Sequence, residues 1–420
     1  MTHDPKPKTL YICYFALREP LVQTQVIPYL LGLVDDGIDV TLLTFEPDLK
    51  NSWTTEQIEI ERRSLHERGI AWRQLAYHKR PSVPATMYDI LIGANYVRKF
   101  VNHENVDILH CRVHVPALMA AIARKLTRRK PKMIFDIRGF FPEEYTDAGV
   151  WPENGWIYRS VKRVEKWLLK ESDGFVVLTE KARAVLFPES AESGFDNSGR
   201  PVEVIPCCVD FEARFSESKM PRDTAKEQLG LKDRFVVVHL GALGGLYLNQ
   251  EIADFLEYSR LQDSRTFAML LTQSNPAEII RLLKEKGFGE SDYLVRKVDP
   301  KEVPGYLNAC DIALSFVKSS FSTLSRSPTK IPEYLACGVP IVANSGVGDV
   351  DLLIEGERVG ALITDFSDAS YRRALDEIDS LRKIGDLEDR CRIAARAGFD
   401  LRRIGWQRYV RLYHRLLDRK

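Results

Sequence analysis

The stretch that most constrains the fold is residues 327–349, SPTKIPEYLACGVPIVANSGVGD. Read locally, it is a loop, a short helix, a glycine stop, a buried strand and a glycine-rich turn. Thr329 stands at the helix N-cap, which leaves Pro332 in the first turn, where its missing N–H is no loss. Lys330 opens the helix, and Gly338 then Pro340 close it. Ile341, Val342 and Ala343 continue as a strand. Helix–Gly–x–Pro–strand units of this kind are common to α/β proteins. The free N–H groups near 328–331, with the Lys330 ammonium, also suit a phosphate or diphosphate. Glu333, one turn in, is an acceptor-only group able to hold a cis-diol such as a ribose. The stretch thus predicts a pocket for a nucleotide diphosphate.

The rest of the chain supports α/β. Apolar runs at 10–15, 40–45, 108–111, 133–137, 175–178 and 202–205 are of the sort buried in a parallel sheet. Amphipathic stretches such as 22–34 and 116–126 lie between them, a doubly wound pattern. The pattern restarts at 235–240 and continues at 268–271, 312–316, 341–343 and 361–363. Two Rossmann-like domains facing across a cleft are predicted, with a linker near 206–217. Residues 396–420 read as one long helix, with Leu401, Ile404, Tyr409, Leu412, Tyr413 and Leu416 on one side. A length of 420 residues suits two domains of about 200 each.

Composition narrows the function classes. A formal net charge of +1 argues against broad nucleic-acid binding. The seven cysteines form no CxxC pair and sit mostly in apolar segments, which points to free thiols in a reducing compartment. No window approaches the roughly 20 apolar residues that span a bilayer, and residues 1–15 lack the apolar core of a signal peptide. The expected location is cytoplasmic, either free or on the cytosolic face of a membrane.

Further candidates sit at strand ends, where ligands of open α/β sheets collect. Arg18 and Glu19 follow the first strand, either at the cleft or on a solvated loop. His110, Arg112 and His114 follow the 108–111 strand, and His110 reads equally as a hydrogen-bonded internal residue. No carboxylate or thiol set completes a metal site with them. After 133–137 come Arg138 and a loop with Glu143, Glu144 and Asp147 among aromatics, a composition suited to a sugar. An Asp136–Arg138 ion pair holding the turn is the plainer alternative. At 156–170, Arg159, Arg163, Lys166 and Lys170 line one face of a helix. That helix is either a core-packed one with a solvated face or one lying on an anionic membrane. Gly241, Gly244 and Gly245 form a turn that lets backbone amides close on an anion, without the GxGxxG spacing of a dinucleotide site.

The string EYLACGVPIV resembles the nucleotide-sugar-binding segment of glycosyltransferase family 4, enzymes of the GT-B fold. LVQTQV at 21–26 is similar to the family's LxQxQV wording. FDIRGF at 135–140 resembles a branch from bacterial surface-polysaccharide pathways. The resemblance implies that Glu333 binds the donor ribose, that Arg112 faces the transferred sugar, that Arg138 faces the cleft and that Glu144 faces the acceptor. Ser325 stands where many members carry a second glutamate, Val22 near a usual glycine, and Ala242 and Tyr247 where an arginine and a lysine are usual. Diphosphate charge is then expected from Lys330 and Lys318. The expected catalytic set is Arg138, Arg112, Glu144 and Lys330. The expected donor set is Gly241, Lys318, Ser327, Thr329, Lys330 and Glu333, with Arg18, His114 and Glu143 on the acceptor side and no metal or cofactor.

By resemblance the domains are 1–206 for the acceptor, 207–395 for the nucleotide sugar, and 396–420 as a helix crossing back to the first. The implied activity is retaining transfer from a nucleoside-diphosphate sugar to a saccharide or lipid-linked saccharide hydroxyl, with peripheral membrane contact. The alternatives are a GT-B epimerase or phosphorylase, or a non-catalytic sugar-nucleotide-binding partner.

Overall fold

The computed structural model describes residues 6–216 and 220–418. Glu217, at the end of the expected linker, and positions 419–420 of the expected tail helix lie outside the described residues. The chain divides into two compact units, Met1–Pro206 with Arg402–Lys420, and Cys207–Leu401.

Among the described residues, the first unit is built on a parallel sheet of β1 (Lys8–Cys13), β2 (Asp39–Pro47), β3 (Ile70–Tyr77), β4 (Ile108–Arg112), β5 (Lys132–Asp136), β6 (Gly174–Val177) and β7 (Val202–Val204). Their order is β3-β2-β1-β4-β5-β6-β7. The central strands β1, β4 and β5 are buried almost throughout, which explains their unbroken apolar runs. The edge strand β3 alternates, with Ile70 and Trp72 buried and Arg73 exposed, and the apolar-run criterion passes over it. It pairs with β2 along its full length, and the Trp72 indole donates to the Thr44 hydroxyl at 2.8 Å.

The second unit repeats the plan with β8 (Phe235–Leu240), β9 (Thr266–Leu271), β10 (Tyr293–Arg296), β11 (Ile312–Ser315), β12 (Ile341–Asn344) and β13 (Gly360–Ile363). Their order is β10-β9-β8-β11-β12-β13, again all parallel. β13 approaches β12 so closely that a Cβ on Gly360 would lie 2.0 Å from the Ile341 carbonyl oxygen.

The tail is not one helix. A helix over Leu387–Phe399 ends at Asp400, whose backbone is extended (φ −67°, ψ 121°). There Val209 N–H bonds the Phe399 carbonyl, and Leu401 N–H bonds the Val209 carbonyl, so the chain is held straight by pairing. A π-helical segment, Leu401–Trp406, and an α-helix, Gln407–Leu417, then join the first unit. Tyr409, Leu412, Tyr413 and Leu416 bury one face of it. Trp406 seats its indole against Gly32, where a Cβ would come within 2.2 Å, and donates to the Pro28 carbonyl at 2.8 Å. Arg411 and Arg415 both pair with Glu203 of β7.

Candidate functional site

In the second unit the strand order reverses between β8 and β11, so their carboxyl ends mark the place where an open α/β sheet gathers ligands. Three segments meet there. The first is the turn after β8, in which Gly241, Gly244 and Gly245 take φ of 114°, 76° and 66°, a region that side chains resist. The second follows β11. It is tied to the turn by the Lys318 N–H bonding the Leu246 carbonyl at 2.8 Å and by a bridge between Tyr247 and Val317. Asn344, at the end of β12, clamps the same segment, accepting from Val317 N–H at 2.8 Å and donating to its carbonyl at 2.9 Å.

The third segment is the helix Lys330–Ala336. Its buried Tyr334 hydroxyl accepts from Leu240 N–H at 2.7 Å and donates to the Leu314 carbonyl at 3.2 Å. That one side chain joins both switch-point strands to the helix. Gly338 closes the helix with φ of 74°, and a Cβ there would lie 2.8 Å from the Arg392 guanidinium. Tyr334 and Gly338 are therefore scaffold, and what they position is Lys330.

Lys330 is only 3% exposed, and its ammonium has no hydrogen-bond partner. It lies 4.4 Å from the centroid of the Tyr247 ring, within cation–π range. Gly241 leaves it room, since a Cβ there would come to 3.4 Å of the lysine Cε. Burial, and then the field of Arg326, pull its pKa down to about 7 against an opposing pull from Glu333. His239, at the end of β8, is driven well below its ordinary value by burial and by Lys330, and stays neutral. A buried cation without a partner is costly, and an anion placed beside it removes much of that cost.

Several expected donor residues behave differently. Thr329 is exposed, its backbone is already helical (φ −57°, ψ −27°), and its side chain makes no cap bond. Ser327 takes the Cys207 N–H on its Oγ at 3.0 Å. Lys318 is exposed, and the cation whose field reaches Lys330 is instead Arg326. Arg326 was legible, four residues before Lys330 in the same loop. Glu333 is not a free carboxylate, because its Oε1 pairs with Arg214 at 2.9 Å, and Arg214 also donates to the Pro300 carbonyl at 3.0 Å. Burial raises the Glu333 pKa, and Arg214 partly offsets this. No local signal marks Arg214. Ser325 is buried and donates to the Ser322 carbonyl at 2.7 Å, so this position brings no carboxylate.

In the first unit the hub is Asp136, at the end of β5. Arg138 Nε donates to it at 3.0 Å, Arg138 Nη2 donates to the Tyr409 hydroxyl at 2.6 Å, and that hydroxyl donates to Asp136 at 2.8 Å. His110 stands at 3.5 Å and Arg112 at 3.9 Å. Burial pushes the Asp136 carboxyl up, but Arg138, His110 and Arg112 together hold it well below the usual carboxylate range. Arg112 is buried, its Nη1 reaching the Gln25 carbonyl at 3.3 Å, and His110 Nδ1 meets the Tyr413 hydroxyl at 3.0 Å. Arg112 and Arg138 are therefore not open groups facing a sugar. They belong to an internal ion cluster closed by Tyr409 and Tyr413, and the plainer Asp136–Arg138 pairing is the one present.

The acceptor-side candidates are engaged in local pairings. His114 Nε2 meets Glu165 at 2.9 Å, and its ring stacks on Phe141. Lys162 pairs with Glu165 and, at 2.9 Å, with Glu143, which also accepts from the Tyr158 hydroxyl at 3.0 Å. This network fixes the helix Trp156–Glu171 to the unit. Arg18 is exposed, 3.8 Å over the Trp53 ring and 3.5 Å from Glu61, as on a solvated loop. Glu144 is half-buried in the first turn of the helix Phe141–Asp147, beside Gly139, where a Cβ would strike its Oε1 at 2.6 Å. Among the described residues, no group of three His, Cys, Asp or Glu side chains gathers as metal ligands.

Comparison with known proteins places a family domain in the first unit. Residues 23–208 match the family described as a glycosyl transferase 4-like domain. The first unit thus carries a glycosyl transferase 4-like domain. Solved structures similar to the chain run along its whole length. A glycosyltransferase from Rickettsia africae aligns with a TM-score of 0.68 at 13% identity, over 99% of this chain and 100% of that one. A sucrose-phosphate synthase from Thermosynechococcus elongatus gives 0.70 at 15%, over 99% and 100%. HepE from Anabaena, solved with UDP and glucose, gives 0.66 at 16%, over 97% and 99%. At such identities the likeness speaks for the fold, and the chain has the GT-B fold, with two Rossmann-like units. No curated protein matches it by sequence. Among its described residues, no helix is long and apolar enough to cross a membrane.

Proposed function

We propose that this protein moves a sugar from a nucleoside-diphosphate sugar to a hydroxyl of a saccharide or lipid-linked saccharide. We further propose that it retains the anomeric configuration and serves cell-surface polysaccharide synthesis from the cytosolic face of a membrane. The observation that carries the donor assignment is the buried, unpartnered Lys330 ammonium at the switch point of the second unit. As the bond from the sugar to the diphosphate stretches, negative charge grows on the leaving oxygen. Lys330 and Arg326, with the backbone of the Gly241 turn, would meet that charge more strongly in the transition state than in the ground state. Glu333, oriented by Arg214, is set to accept from a ribose hydroxyl. The likeness to HepE, solved with UDP-glucose, supports a nucleotide donor. In a retaining reaction the departing phosphate oxygen takes the acceptor proton on the same face, so Ser325 in place of a carboxylate is no obstacle. The charge is assigned to the two cations, with no metal required.

The test is nucleotide binding by thermal shift, followed by transfer assays, on the wild type and Lys330→Met. Wild type should be stabilised by its nucleoside diphosphate through mass action, and Lys330→Met should lose both that shift and transfer. Equal shifts in the two proteins would remove Lys330 from the donor site.

A further inference from the structure

The helix Ser82–Glu104 packs one face on the first unit, burying Ala85, Ile90, Ala94, Val97 and Val101. Its opposite face is unusual. Val83 is 51% exposed, Met87 51%, Tyr88 53%, Leu91 61% and Ile92 41%. Their spacing of four and five residues puts them together over the first turns of one helix side. Contiguous apolar surface of this sort marks an interaction site, whereas scattered single residues need no explanation.

The charges around it specify the partner. Lys79 and Arg80 lie exposed just before the helix, and Lys99, with the half-buried Arg98, continues the same side toward its end. Between His78 and His103 the only carboxylate is Asp89. It is 1% exposed, accepting from the Tyr14 hydroxyl at 2.7 Å and from the His78 N–H at 2.9 Å. The accessible residues from 79 to 103 thus combine aliphatic and aromatic side chains with cations and include no anion, exposed Glu104 lying at the far end of the helix. A second copy of the chain is disfavoured as occupant, because a two-fold contact would set these cations against themselves. The helix Trp156–Glu171, expected as the alternative membrane face, does not compete. Its Leu168 is buried, Ile157, Val161 and Val164 are half-buried, and only Trp156 among these apolar residues stands well exposed.

We propose that the outward face of the Ser82–Glu104 helix, with residues 79–80 before it, docks on an anionic lipid bilayer. Val83, Met87, Leu91 and Ile92 enter the interfacial layer, Tyr88 sits at the headgroups, and Lys79, Arg80 and Lys99 meet the lipid phosphates. The inference deepens the proposed membrane location by naming the surface that makes it, and it is tested apart from the transfer reaction, since binding is read with no donor or acceptor present.

The experiment is co-sedimentation of the full chain with phosphatidylcholine vesicles, with and without phosphatidylglycerol. Wild type should pellet with the anionic vesicles and be released by salt. Lys79→Gln/Arg80→Gln should weaken partitioning on the order of tenfold or more, and Met87→Ser/Leu91→Ser should abolish it while far-UV circular dichroism stays unchanged. Failure of the wild type to pellet, or equal pelleting with neutral vesicles, overturns the proposal. So does sedimentation velocity showing a dimer that Met87→Ser/Leu91→Ser dissolves, because the face would then be covered by a second copy.

Discussion

Lys330 makes the sharpest demands at the scale of single residues. Its folded pKa of about 7 lies below the ordinary lysine value, so between the two the unfolded chain binds more protons. Stability of the ligand-free protein therefore rises with pH across that window, and the burial cost is fully present below about pH 7. Lys330→Met should raise the unfolding free energy measured in urea at pH 7 or below by on the order of 1–3 kcal/mol, while transfer is lost. Nucleoside diphosphate binding has the opposite pH dependence, since the occupied site favours the charged lysine. Affinity should be greatest below about pH 7 and weaken by up to about tenfold per pH unit above it. Calorimetry in buffers of different ionisation heat should detect proton uptake, absent in Lys330→Met. Arg214→Met leaves the Glu333 carboxylate buried and unpaired, and should cost about 3 kcal/mol in denaturant unfolding. Adding Glu333→Gln should recover part of that loss. That Lys330 and Glu333 share one short helix could be read from the chain, because a helix stopped by glycine and the strand after it are local features. Arg214 could not, since its partner is distant in sequence and only the fold brings them together. The pairings of Arg112 with the Gln25 carbonyl, Arg138 with Tyr409 and His114 with Glu165 were hidden for the same reason, lying outside any local pattern.

At the scale of elements, buried parallel strands announce themselves as apolar runs, and both sheets were legible to that extent. The edge strand β3 was not, because it alternates, and the outward Arg73 breaks any apolar run. The tail helix was over-extended for a related reason. Its apolar spacing continues through 400–406, but pairing with Val209 straightens the chain at Asp400, and π-helical winding follows. The seat of Trp406 on Gly32 gives a test of how firmly the tail is held. Gly32→Ala places a methyl inside the indole contact and should destabilise the first unit by about 1–3 kcal/mol. A shift of its unfolding transition in urea, followed by Trp fluorescence, would measure this.

For the molecule as a whole, each unit has its own sheet and core, and independent unfolding transitions are expected. Scanning calorimetry with a nucleoside diphosphate at a hundred times its Kd should stabilise the second unit by about 2.7 kcal/mol. The transition of the first unit should move much less. Equal movement of both would indicate that the ligand contacts or couples the two units.

The first unit is completed by residues 402–417, which follow the whole of the second. A ribosome making this chain therefore releases the later unit in finished form before the earlier one can close. At typical elongation rates the nascent Asp136 cluster waits on the order of ten seconds or more for Tyr409 and Tyr413. During that interval its charges and the apolar groove for Leu412 and Leu416 are open to chaperones. Loss of the tail, by nonsense mutation or by proteolysis, should accordingly ruin the half of the protein farthest from the cut in sequence and spare the half next to it.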